Sequence, residues 1–315
     1  MKSGKLLYAA ALAAFVTSSV HAQEKPQLAF VVNAASDFWK LAEAGVNDAQ
    51  AELPGYELQF RYPAQGTAAL QNALMDDLVA AGTDAIMISS VDPKTSIGAF
   101  NRIAAQVPLF TTDSDAPESD RIAYLGSSNT LAGNQAGEIA VKALPDGAKC
   151  MGFVGFLGAD NAKERIAGFK EVAGPKGIEL VDVRGDDVDF AKARSNVDDV
   201  LAANPEIDCM VGFYSYNPPK IYEALQAAGK LGEITVIAFD EDPITLGAVR
   251  EGSFAGTVVQ DPYQWGYQGM HLMADFLEGD RSGIPGDGLI IVPTKVIDAS
   301  SVDAFETELK ARIKG

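Results

Sequence analysis

The chain has 315 residues, 47 % of them hydrophobic, and its 43 acidic against 25 basic side chains leave a formal net charge of -18. That balance excludes a nucleic-acid partner, because a phosphate backbone needs a basic face, and it suits plain solubility outside the cytoplasm. Two cysteines and two histidines are too few for a Cys/His metal site, so neither a metal nor a cofactor is expected.

Lys2 and Lys5 precede an apolar stretch from Leu6 to Val16, and Val20-His21-Ala22 offers a small-residue cleavage site. Residues 1–22 therefore read as a secretory signal, and the exported mature chain as starting near Gln23. The stretch is too short to span a membrane, and no later window supplies the roughly 20 apolar residues a spanning helix needs. No cysteine stands at the cleavage point, which argues against a lipid anchor. The roughly 290 residues that remain exceed what one core comfortably organises, so two domains are expected.

Leu28 to Val32 is a continuous apolar run, followed by Phe38, Ala42, Val46 and Ala49 at a spacing near 3.6, which makes one strand-helix unit. Tyr56 to Tyr62, Ala85 to Ser89 and Val107 to Thr112 are predicted strands, with helices over Ala68 to Ala80 and Thr95 to Ala105 between them. A short strand follows over Ile122 to Gly126. The alternation then restarts: Cys150 to Phe156, Ile178 to Arg184, Ile207 to Phe213 and Ile234 to Phe239 are strands, separated by helices at 161–173, 190–203 and 219–229. After Phe254 to Val259, a helix from Pro262 to Leu277 carries Trp265, Met270 and Met273 on one stripe. Ser282 to Gly288 is a Gly-rich loop, and Val302, Phe305, Leu309 and Ile313 mark a last amphipathic helix capped by Ser300 or Ser301. The predicted fold class is α/β, two doubly wound parallel sheets with both faces covered.

Two strand ends present a carboxylate, in Asp113-Ser114-Asp115 and in Phe239-Asp240. Ligands of open parallel sheets sit outside the carboxyl ends of the strands, so acceptors placed there by two sheets would face a shared cleft. Turn or N-cap duty is the competing reading for both, and for Asp115 it is the favoured one. Cys150 and Cys209 each open an apolar run; if these are the first and third strands of one sheet, the thiols are neighbours. A disulfide and a pair of buried thiols are both open outcomes.

In order and spacing, Phe38-Trp39, Asp113-Ser114-Asp115, Arg165-Ile166-Ala167-Gly168-Phe169, Asp189-Phe190, Phe239-Asp240 and Val259-Gln260-Asp261 resemble the ribose- and glucose-type periplasmic binding proteins. These are the soluble receptors of ABC sugar importers, and the likeness covers nearly the whole mature chain. It implies a type I periplasmic binding protein: two lobes joined by a three-crossing hinge, near Ser127-Ser128, Gln260-Asp261 and Ile291 to Pro293. The lobes would comprise residues 23–127 plus 261–291 and residues 128–260 plus 292–315.

The resemblance also implies a neutral sugar or polyol as ligand, a membrane ABC permease as partner, and a monomer without enzymatic activity. A sugar offers hydroxyls and weakly apolar C–H patches, which carboxylates, guanidinium forks, amides and flat aromatic faces answer. The implied ligand-binding set is Ser36, Phe38, Trp39, Ser89, Asp113, Ser114, Arg165, Phe190, Tyr216, Asn217, Asp240 and Gln260. Within it the aromatics supply faces, Asp113 and Asp240 acceptors, Arg165 a fork and Gln260 an amide.

Two departures stand out. Ribose-type members carry Arg where this chain has Ser114, and Asn where it has Ser89, which points away from ribose itself; the run from Asp113 to Pro117 resembles the glucose-binding branch, and a hexose, a pentose and a sugar alcohol all stay open. Two rival functions are weighed against sugar capture. Asp37, Asp113, Asp115 and Asp240 could cage an amine in a signalling receptor, against which Arg165 argues. A secreted glycoside-active enzyme would need a carboxylate pair at fixed separation, and carboxylates on opposite lobes do not offer one.

Overall fold

A computed structural model describes residues 25–203 and 206–313; the predicted signal, residues 1–22, lies outside the described residues. The first half runs β1 (Gln27–Val31), α1 (Trp39–Glu52), β2 (Glu57–Arg61), α2 (Ala68–Ala80), β3 (Ala85–Ile88), α3 (Pro93–Ala104), β4 (Leu109–Thr112), β5 (Tyr124–Gly126) and α4 (Asn129–Ala143). The second runs β6 (Ala148–Val154), α5 (Asp160–Ala173), β7 (Ile178–Gly185), α6 (Phe190–Ala203), β8 (Cys209–Gly212), α7 (Asn217–Ala228), β9 (Thr235–Phe239), α8 (Pro243–Arg250) and β10 (Gly256–Val259). The chain closes with α9 (Pro262–Leu277), β11 (Leu289–Ile291), β12 (Lys295–Ile297) and α10 (Val302–Ile313).

Two six-stranded sheets result, ordered β11-β5-β4-β3-β1-β2 and β12-β10-β9-β8-β6-β7. All pairings in the first are parallel; in the second only β12 runs antiparallel, against β10. Each sheet is doubly wound, with β1 or β6 at its switch point. Strands β1, β3, β4, β8 and β9 are apolar almost throughout and buried, as strands covered on both faces must be.

The chain passes three times between the sheets. It leaves the first after β5, because α4 packs on β9, β10 and α5 of the second. It returns after β10, where α9 packs on α1, β1, β3 and β5, and leaves again between β11 and β12. This is the two-lobe, three-crossing architecture expected. Helices α4 and α8 and strands β11 and β12 are the elements the sequence reading did not contain.

Close helix crossings depend on glycine. A Cβ on Gly133 of α4 would overlap the Arg165 carbonyl of α5, and one on Gly168 would overlap the Thr130 carbonyl. Gly45 and Gly266 play the same part between α1 and α9. Because α4 lies so near α5, the position of Arg165 is set by backbone packing as well as by its own bonds. Gly168→Val is therefore expected to force the two helices apart. A fall of several degrees in Tm together with loss of ligand binding, read by thermal melts with and without ligand, is the expected outcome.

Cys150 and Cys209 are register partners on β6 and β8, with Cα atoms 4.5 Å apart, and their sulfurs are bonded. The bond closes a separation of 59 residues, for which chain-entropy arguments give at most about 4 kcal/mol of stabilisation. Reduction with dithiothreitol should lower the denaturant midpoint of the native protein and leave that of Cys150→Ala/Cys209→Ala unchanged.

Candidate functional site

The two sheets present the ends of β4 and β9 to one cleft. Asp113 follows β4 and Asp240 follows β9, and both stand in left-handed backbone, at φ 54° and 66°. Asp tolerates that region better than most residues, and here it turns the side chain off the strand and into the gap. Both carboxylates line the cleft and are almost fully buried. Neither caps a helix: Asp115 takes the local turn, bound to Arg121 at 2.5 and 2.6 Å, and Asp242 caps α8 through the Ile244 N–H.

The backbone carbonyls behind both are clamped. The Asp113 carbonyl accepts from Asn129 Nδ2 at 2.9 Å and Tyr124 Oη at 3.1 Å, and that of Asp240 from Thr257 Oγ1 at 2.8 Å. Such anchoring holds an uncommon backbone conformation in place.

Arg165, 2 % exposed on α5, lies between them. Its Nε donates to Asn129 Oδ1 at 2.9 Å, one terminal nitrogen to the Phe213 carbonyl at 2.8 Å and the other to Gln260 Oε1 at 2.7 Å. The last nitrogen is also 3.6 Å from Asp113 Oδ1, and the guanidinium centre lies 4.9 Å from the Phe239 ring. Gln260 in turn donates to Asp240 Oδ1 at 3.0 Å. Asn161, one helical turn before Arg165, gives Nδ2 to both oxygens of Asp113 at 3.0 and 3.1 Å and accepts from Tyr214 Oη at 2.8 Å. Asp113 belongs to the first sheet and Asn161 and Arg165 pack with the second, so these bonds bridge the two lobes.

Of the residues predicted from sequence, Ser36, Phe38, Trp39, Asp113, Arg165, Tyr216, Asp240 and Gln260 line the cleft. Phe38 packs edge-on against Trp39 and Trp265, and Trp39 Nε1 donates to Asn33 at 3.1 Å. Ser89, Ser114, Asn217 and Phe190 are not in the lining. Ser89 stands behind it, donating to Asp113 Oδ2 at 2.8 Å, while Ser114 is fully buried beside it. Asn217 donates to Asp186 and accepts from the Tyr214 N–H, fixing the 214–217 loop. Phe190 is 44 % exposed, its ring 4.9 Å from that of Tyr216. The turn at Asp186 to Val188 accounts for this: it puts Val188, at φ 60°, on the cleft wall and carries Phe190 outside it.

Asn33, Asn161, Val188 and Tyr214 also line the cleft and were not singled out in the sequence. Two of them had a signal. Asn33 directly follows a strand, as Asp113 does, and Asn161 lies four residues before Arg165, hence on the same helical face. Nothing local marks Val188.

Burial dominates the electrostatics. It pushes Asp113 up against the opposing pull of Arg165, Asn161 and Ser89, and raises Asp240 to about 6, opposed first by Arg165. Asp186, which accepts from Tyr216 Oη at 2.5 Å and from the Val188 N–H at 2.9 Å, is likewise raised by burial, to about 6. Among the described residues no group of three or more His, Cys, Asp or Glu could hold a metal ion.

The model of the periplasmic binding protein domain matches residues 28–281, and the chain belongs to that family. It is 28 % identical over 282 residues to the ribose import binding protein RbsB of Salmonella typhimurium, spanning 89 % of this chain and 94 % of that protein. Among solved structures it is similar to GanP, a glucose-galactose binding protein from Geobacillus stearothermophilus. The TM-score is 0.82 at 26 % identity, covering 88 % of this chain and 99 % of that one. It is also similar to an ABC transporter solute binding protein of Burkholderia graminis in complex with D-arabinose, with a TM-score of 0.81 at 28 % identity over 88 % and 96 %.

A raised carboxyl makes a signed prediction. Folding holds a proton on Asp240 between its unfolded pKa near 4 and about 6, so its contribution is most favourable below pH 4 and is lost as pH rises through about 6. Asp240→Asn removes that loss. The variant's Tm relative to the parent is expected to rise between pH 4.5 and 7; a constant difference across that range would contradict the assignment.

Proposed function

We propose that the protein captures a neutral sugar or sugar alcohol between its lobes in the periplasm and hands it to a membrane ABC permease, without altering it chemically. The observation that carries this reading is the pair Asp113 and Asp240, one from each sheet, buried on one cleft with Arg165 between them. Carboxylates accept hydroxyl protons at fixed geometry, and Phe38, Trp39 and Tyr216 offer faces to C–H patches. Hydrogen bonds involving these charged groups contribute roughly 1.5 to 3 kcal/mol each, enough to orient a small ligand. The names of RbsB, GanP and the arabinose-bound relative support the same ligand class.

In this reading residues 23–127 plus 261–291 and residues 128–260 plus 292–315 are the bodies that hinge, and residues 1–22 are the export signal. The contacting set is Ser36, Phe38, Trp39, Asp113, Arg165, Tyr216, Asp240 and Gln260, joined by Asn33, Asn161, Val188 and Tyr214. Ser89, Ser114 and Asn217 act from behind the wall. Closure draws its free energy from contacts made only when the lobes meet, and the Asn161 and Arg165 bonds to Asp113 are of that kind. A hydroxylic ligand suits the buried guanidinium better than an amine does, since a cation placed beside Arg165 would meet a like charge.

A thermal-shift screen over pentoses, hexoses, polyols and small amines tests the reading. One or more sugars or polyols should raise the Tm of the parent protein. Asp240→Ala and Arg165→Ala should abolish that shift while still melting cooperatively without ligand. Shifts preserved in both variants would overturn the site, and an amine hit in place of any sugar would overturn the ligand class.

A further inference from the structure

At the hinge, beside the cleft, lies a second pocket. Gln260 belongs to both walls. Elements of both lobes enclose the second cavity: Leu41 of α1 and Tyr263 of α9 on one side, Glu241, Phe305 and Leu309 on the other. Its walls are mixed: Leu41, Val259, Phe305 and Leu309 are apolar, while Glu241, Asp261, Lys295, Glu308 and Arg312 carry charge.

Those charges do not balance. Asp261 is paired with Arg312 at 2.6 Å, and Glu308 with Lys295 at 3.3 Å and Arg312 at 3.1 Å. Glu241 is left over: it lines the cavity, and its Oε2 is buried with no hydrogen-bond partner. A buried carboxylate oxygen without a donor is costly and calls for one. Once Glu241 ionises, three acids face two bases here, one positive charge short. A metal ion is a poor fit, because Asp261 and Glu308 are already paired with Arg312 and Lys295, and the one carboxylate left cannot replace its oxygen shell. An alkylammonium suits better, its head donating to Glu241 and its tail lying on Phe305 and Leu309.

We propose that this hinge cavity is a second binding site, for a small monovalent organic cation of the alkylammonium class, with Glu241 as its counter-ion. Burial, then Asp240 and then Asp261, hold the Glu241 carboxyl well above the usual range. A bound cation reverses that balance and ionises the group, so binding weakens as pH falls. The other titratable groups at the cavity are Asp261, Tyr263, Lys295, Glu308 and Arg312. The site is independent of the sugar reading, since it shares only Gln260 with the cleft.

The test is isothermal titration of the native protein with propylammonium chloride and, as the neutral isostere, 1-propanol. Propylammonium should give saturable binding and 1-propanol none. Glu241→Gln should weaken propylammonium by roughly tenfold or more, the loss expected for a charged hydrogen bond. Asp113→Ala, which disables the cleft, should leave propylammonium binding intact. Equal binding of the alcohol and the cation, or equal affinity in Glu241→Gln, would overturn the proposal. Loss of propylammonium binding in Asp113→Ala would move the cation to the cleft and overturn it too, in favour of an amine receptor. The comparison of cation with alcohol on the native protein decides the matter even if Glu241→Gln fails to fold.

Discussion

Everything at the cleft hangs on Arg165. A guanidinium that is 2 % exposed is tolerable only when its donors are met, and here Asn129, the Phe213 carbonyl and Gln260 meet them. Through Gln260 the chain of bonds reaches Asp240, and across the gap the same guanidinium faces Asp113. Two carboxylates on different sheets are thus held near one cation. Without it their mutual repulsion, added to the cost of burial, would leave them protonated and poor acceptors. The glycines at 133 and 168 belong to the same device, because they let α4 approach α5 closely enough for Asn129 to reach Arg165.

The two halves solve one problem with one local design. Each ends a buried strand with an Asp in left-handed backbone, and each places a second Asp two residues on to take the turn chemistry. Asp115 and Asp242 thereby release Asp113 and Asp240 from local duty. The positive φ aims each carboxylate across the cleft, and a clamped carbonyl behind it keeps it there. The doubled carboxylate visible in Asp113-Ser114-Asp115 is a division of labour between cleft-facing and chain-facing acceptors.

Much of this was legible in the sequence, for physical reasons. Strands covered on both faces must be continuous apolar runs, so β1, β3, β4, β8 and β9 were readable, as was the end of each. Helix α2 was placed at its observed bounds, and its N-terminus is capped by Thr67, whose side chain accepts from the Leu70 N–H. Helix α4 was missed: apart from Asn129 and Ile139 its buried face is Ala132, Gly133, Ala136, Gly137 and Ala140, small residues suited to close approach that do not announce a core-facing stripe. Strands β11 and β12 are three-residue edge strands, exposed over much of their length, and lack a burial signal. The crossed connection of the lobes came from family likeness and not from periodicity, since local pattern cannot say which sheet a strand joins. Phe190 was expected at the wall because aromatics cover sugar faces. Val188 stands there because of a turn held by Asp186, Tyr216 and Asn217, three residues brought together only by the fold.

The hinge itself is built from residues that serve the cleft. Ser127 accepts from Tyr124 at 2.7 Å, and Tyr124 also donates to the Asp113 carbonyl; Gln260 is both a crossing residue and the link between Arg165 and Asp240. Rotation about the crossings therefore cannot leave the acceptor geometry untouched. In the proposed capture cycle, opening the lobes would separate Asp113 from Asn161 and Arg165, while Gln260 and Asp240 would stay with Arg165 on the second lobe. The second lobe thus keeps its guanidinium, amide and carboxylate preorganised, and the first brings Asp113 and the Phe38-Trp39 face as it closes. Binding energy spent on that last carboxylate is realised only in the closed form, which is the condition for a ligand to shift an equilibrium between two shapes.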